Sequence, residues 1–152
     1  MSEEKHLFRL NSVWIGNSDG DGTLTTAWGG QVAYGVPEEL GGKPGRTNPE
    51  ELLLSAVVSC YSITLALLAE RRRLPLTRLE VTAEGEVVRQ PDRTLKYTAI
   101  RLAPKMVLAS SEEAQRQAAL DCAQKAEVYC VISRAVRGNI EISVTPEVRS
   151  AE

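Results

Sequence analysis

Histidine is almost missing from this chain: His6 is the only one in 152 residues, and it lies in a polar stretch at the start. With one imidazole in a fraying terminus, the sequence does not serve Cys–His or Ser–His hydrolysis or histidine-rich metal sites. Cysteine is scarce as well: there are three, with neither a CxxC nor any other metal-ligand spacing. That pattern implies thiols that are reduced at rest, and a disulfide that is transient and catalytic where one forms. Neither sign of charge dominates, since 18 basic residues face 20 acidic ones. No nucleic-acid or anionic-membrane surface is therefore expected. Met1-Ser2-Glu3-Glu4-Lys5-His6 has no apolar segment, so no secretory leader is expected and the location read from it is cytoplasmic. Gly41-Gly42-Lys43-Pro44-Gly45-Arg46-Thr47 lacks the GxxxxGK[ST] order and follows no buried parallel strand, which removes a phosphate loop. Neither a metal nor a bound organic cofactor is expected.

What the chain does have is an ordinary soluble balance, 43% hydrophobic and 25% charged, of a size that fits one domain over residues 1–152. Loose alternation and turn residues such as Gly16-Asn17-Ser18-Asp19-Gly20-Asp21-Gly22 predict an N-terminal β-meander over residues 7–36, with strands at 7–15, 23–28 and 31–36. Asn48, Pro49 and Glu51 form a helix start with capping-box spacing, and the helix is predicted over 49–72, before Pro75. A β-β-α-β part is predicted over 78–148. It has strands at 79–88 and 95–108, a helix from 112 to about 126 capped by Ser111, a short helix at 133–136, and a closing strand at 139–144. This order gives an α+β fold with antiparallel sheets.

The central helix holds an uncharged run of 18 residues, 52–69, at the lower edge of a membrane-spanning length. Ser55, Ser59, Ser62 and Thr64 interrupt it, and the rest of the chain is amphipathic, so the expectation is a core helix and no membrane partner. Such a helix needs more cover than one chain of this size supplies, which points to a dimer.

Cys60 stands on that helix and shares a face with Leu53, Ala56, Val57, Thr64 and Leu67. It is either a small core hydrophobe or a nucleophile, and the second role requires a partner that lowers its pKa. The helix start is three turns away and its dipole fades within the first, so that partner must be brought in by folding. Glu50 precedes Cys60 by ten residues, roughly 15 Å along the axis. It is either a first-turn acid or the holder of an arginine lying over the thiol, with Arg46 the nearest in sequence. Cys130 lies in the connection Tyr129-Cys130-Val131, either as packing or as a mobile thiol. Cys122, mid-helix beside Asp121, reads as packing.

Thr47-Asn48-Pro49-Glu50-Glu51-Leu52, followed at a fixed distance by Cys60, and the stretch at 126–138 around Cys130-Val131-Ile132-Ser133 resemble the OsmC/Ohr proteins, thiol-dependent peroxidases of bacteria. The likeness extends over almost the whole chain. It implies an intertwined homodimer with two long central helices back to back. It further implies Cys60 as peroxidatic thiol, Cys130 as resolving thiol, Glu50 orienting an activating arginine, an organic hydroperoxide substrate and an external dithiol reductant. The family's two arginine positions fall at 16–22 and 37–40, where this chain has none, so Arg46 is the substitute. The family's proline after the resolving cysteine is Val131 here. The alternative is a relative without efficient turnover that binds a small apolar ligand at the dimer interface.

Overall fold

The computed structural model describes residues 2–151 and divides into two compact units, with the boundary at Leu52. The first unit is built on an antiparallel meander of β1 (Leu10–Ile15), β2 (Asp21–Thr26) and β3 (Gln31–Tyr34). The predicted first strand begins three residues too early. Leu10 pairs with Thr26, and there the ladder ends, because the Thr26 backbone and hydroxyl are already committed to the turn that closes on Gly30. The same turn takes Ala27 and Trp28 out of the predicted second strand. Gly22 is required in β2, since a Cβ there would lie 2.3 Å from the Tyr34 ring. Beyond β3 the chain loops through one 3₁₀ turn (Glu38–Leu40) and returns, the Gly35 amide donating to the Thr47 carbonyl at 3.0 Å.

Helix α1 spans Pro49–Arg71. Asn48 caps it as the sequence predicts: its Oδ1 accepts the Glu51 amide at 2.8 Å and its Nδ2 donates to Glu51 Oε1 at 2.6 Å. At the far end Arg73 takes a left-handed conformation (φ 56°), and the Leu74 amide reaches back to the Ala69 carbonyl before Pro75. Only one stripe of α1 is buried, Val57, Tyr61, Leu65 and Ala69, each four residues apart. Ile63 and Leu67, also one turn apart, are 63% and 49% exposed.

In the second unit, β4 (Leu76–Arg89) and β5 (Leu95–Leu108) form a long antiparallel hairpin, followed by α2 (Glu113–Tyr129), α3 (Val131–Val136), β6 (Glu141–Val144) and β7 (Glu147–Ser150). The core of this unit gathers the α1 stripe, the inward residues Ile100, Leu102, Met106 and Leu108 of β5, and Ala119, Ala123 and Ala126 of α2. Alanines on α2 let it lie close to its neighbours. The fold is α+β as expected, but its second sheet is mixed. The pairing of β6 with residues 99–102 of β5 is parallel, and so is that of β7 with residues 105–108. The physical reason is the crossover: a strand reached through a helix returns in the direction it left, and α2 with α3 supplies that passage. The α2 start also differs. Glu112 is the cap residue, and it is Ser110, not Ser111, whose hydroxyl accepts the Glu112 amide.

Candidate active site

Cys130 occupies the break between α2 and α3, and its backbone serves both helices. Its amide donates to the Ala126 carbonyl at 3.0 Å, closing α2, and its carbonyl accepts the Arg134 amide at 3.0 Å, opening α3. Extended backbone at Cys130 (φ −62°, ψ 122°) turns the chain between them. The side chain completes the junction, because Sγ accepts the Ser133 amide at 3.4 Å and so caps α3. A sulfur here does the work that a serine or aspartate oxygen usually does. Arg137, just past α3, ties the junction down by donating to the Glu127 carbonyl at 2.9 Å and to Glu127 Oε1 at 3.0 Å.

Cys60, half-buried on α1, faces this junction, and both thiols are free. Burial raises the Cys60 pKa, but the Ile132 amide, the Cys130 thiol, the Val131 amide and the Thr64 hydroxyl together outweigh it and hold the thiol below its ordinary value. Cys130 goes the other way: burial raises it, the Ser133 hydroxyl and amide oppose, and the hydrogen bond and charge of Cys60 push it further up. The two shifts run in opposite directions, and each thiol is among the causes of the other's shift.

The structure thus brings together Cys60 and Cys130. Arg46 and Glu50 belong to the first unit. There the Arg46 guanidinium pairs with the Asp21 carboxylate, which Lys43 also approaches at 3.8 Å, and Glu50 lies in the first turn of α1. The donors that depress Cys60 are neutral: two amides, a thiol and a hydroxyl. Those amides belong to Val131 and Ile132, which the sequence marks as part of the stretch around Cys130 but not as donors to Cys60. Cysteine is not among the usual cap residues, so the short helix is predicted two residues late, at 133, and the Val131 and Ile132 amides are not recognised as helix-start donors. Cys122 is buried on α2, with Arg72 Nη1 3.7 Å from its sulfur and 2.8 Å from Asp121. Among the described residues no cluster of three or more His, Cys, Asp or Glu is arranged to hold a metal.

Comparison with known proteins gives the family and the fold. A family model described as "OsmC-like protein" matches residues 41–145. The uncharacterized protein YmaD of Bacillus subtilis (strain 168) is 35% identical over 147 residues, covering 95% of both chains. Peroxiredoxin OsmC of Escherichia coli (strain K12) is 27% identical over 132 residues, covering 85% of this chain and 89% of that one. Among solved structures, an organic hydroperoxide resistance protein from Elizabethkingia anophelis superposes with a TM-score of 0.74 at 24% identity, covering 96% of this chain and 100% of that one. At that identity the superposition speaks for the fold alone.

Proposed function

Because the chain belongs to the OsmC-like protein family, we propose that it is a cysteine-based peroxidase that reduces organic hydroperoxides, and hydrogen peroxide more weakly, in oxidative stress defence. The observation that carries this reading is the opposed tuning of the two thiols, Cys60 held low and Cys130 held high. The Cys60 thiolate attacks the distal oxygen of the hydroperoxide. The O–O bond breaks, an S–O bond forms, and sulfur loses two electrons to the peroxide, leaving a sulfenic acid. The departing alkoxide takes the proton that Cys130 holds beside Cys60 and leaves as the alcohol. Cys130, now a thiolate, attacks the sulfenic sulfur; the S–S bond forms and hydroxide leaves, becoming water with a proton from solvent. An external dithiol then returns both thiols by exchange.

Names of relatives support the substrate class: two proteins of Staphylococcus epidermidis, each 27% identical, over 111 and 113 residues, are called organic hydroperoxide resistance protein-like. Glu50 is proposed to orient the activating arginine and Arg46 to be that arginine, which would require Arg46 to be shared with Asp21. The exposed apolar residues of α1 support a homodimer closed along that helix. The proposed location is cytoplasmic, without metal or organic cofactor.

One equivalent of cumene hydroperoxide added to the reduced protein, with products mapped by mass spectrometry, tests the reading. The expected product is a Cys60–Cys130 disulfide, and in Cys130→Ser a trapped sulfenic acid on Cys60. Thiols that survive equimolar peroxide for many minutes would sink it. That outcome would favour the second reading, a binder of small apolar ligands at the dimer interface, which the carboxylate partner of Arg46 favours.

A further inference from the structure

Ser133 is wholly buried, and its hydroxyl makes no hydrogen bond of ordinary geometry among the described residues. Buried hydroxyls without a partner are rare, and one that persists calls for an explanation. Its neighbour supplies one. The Ser133 amide already donates to Cys130 Sγ at 3.4 Å, and the hydroxyl of the same residue lies near enough to that sulfur to lower its pKa. A neutral thiol is a weak acceptor, so the hydroxyl gains little from Cys130 at rest. A thiolate in the same place is a strong one.

We propose that the Ser133 hydroxyl is the donor that closes onto Cys130 once Cys130 has given up its proton, stabilising the resolving thiolate until it attacks the Cys60 sulfenic sulfur. The proposal rests on the peroxidase reading and adds a residue to it. The hydroxyl is unsatisfied in the resting state because its partner exists only during turnover. In the step it serves, Cys130 contributes the electron pair of the new S–S bond, the S–O bond of Cys60 breaks, and hydroxide departs to be protonated by solvent. Ser133 neither gains nor loses its proton. The placement is economical of residues: Ser133 gives the sulfur its amide at rest, and its hydroxyl becomes a second donor to a thiolate that burial otherwise disfavours.

The test separates the two chemical steps in the full-length protein. Cumene hydroperoxide is mixed rapidly with wild type and Ser133→Ala; sulfenic acid is trapped with dimedone and the disulfide is followed by mass spectrometry at a series of pH values. Ser133→Ala is expected to form the sulfenic acid within about twofold of the wild-type rate. It should close the disulfide about tenfold more slowly at pH 7, the size expected for one hydrogen bond to a charged group. The pH midpoint of that second step should move upward, a change that loosened packing alone would not produce. Ser133→Thr, which keeps the hydroxyl, should recover part of the rate, and Ser133→Gly, which lacks it, should not. The thermal midpoint of Ser133→Ala should not fall, since no bond of ordinary geometry is removed. A disulfide step in Ser133→Ala equal to wild type in rate and in pH midpoint overturns the role of Ser133 and leaves the peroxidase reading standing. Wild-type Cys60 untouched by peroxide overturns both, and is recognised at the first step.

Discussion

Cys60 needs no formal positive charge beside it to lie below an ordinary thiol; two amides at the start of α3, the Cys130 thiol and the Thr64 hydroxyl are enough to outweigh its burial. A depressed pKa means that the thiolate persists as pH falls below the range where a free cysteine is protonated, so the alkylation rate of Cys60 should keep its plateau to lower pH than that of a free thiol. Cys130→Ala removes a donor to Cys60 and also the cap that holds the Val131 and Ile132 amides in place. Its alkylation midpoint is therefore expected to move up toward the ordinary value. Cys130→Ser keeps an acceptor for the Ser133 amide and a donor for Cys60, and should stay near wild type. A midpoint unchanged in Cys130→Ala would show that Cys130 does not tune its partner. Arg46→Ala probes the proposed activating cation by the same assay: a Cys60 midpoint and peroxide rate equal to wild type would remove Arg46 from the proposed site.

At the scale of elements, a buried bond joins α1 and α2, Tyr61 Oη donating to the Ala123 carbonyl at 2.7 Å. Burial and the Glu127 charge push the phenol far above its ordinary pKa, so it remains a donor at any working pH. Tyr61→Phe should cost about 1 kcal/mol in denaturant unfolding. Leu65→Ala, in the same stripe, should cost about 2–5 kcal/mol through the cavity it leaves. A Tyr61→Phe protein as stable as wild type would mean that solvent or another donor replaces the bond. These elements also show which parts of the structure could be read in the sequence. Helix α1 was legible from its ends, because Asn48, Pro49 and Glu51 act locally and their spacing alone specifies the cap. Strand β5 was legible to the residue, since its alternation over Ile100, Leu102, Met106 and Leu108 is a direct record of one buried face. Helix α3 was mistimed because its cap is a sulfur. The parallel direction of β6 and the presence of β7 were not legible, because a four-residue strand carries no mark of which neighbour it will join. At the site, the two thiols could be named from their context, whereas the amides that tune one of them have no side-chain signature at all.

For the whole molecule, the informative feature is what α1 leaves uncovered. Its most apolar 18-residue stretch is long enough to cross a membrane by length and composition, yet only 22% of it is buried within the chain. Ile63 and Leu67 stand outward one turn apart, beside a shallow apolar groove that includes Ala66, Leu74 and Leu76. If the proposed dimer closes along α1, charging that face by Ile63→Lys should shift sedimentation from dimer to monomer; sedimentation equal to wild type would remove this face from the proposed contact. Pairing across such a helix would carry a further consequence. Association that buries core-like surface binds only the folded state, so folding and assembly become one equilibrium governed by mass action. The melting temperature would then climb with protein concentration and fall on dilution. Abundance would set not only how many thiol pairs exist, but also what fraction of the chains is folded well enough to hold one together.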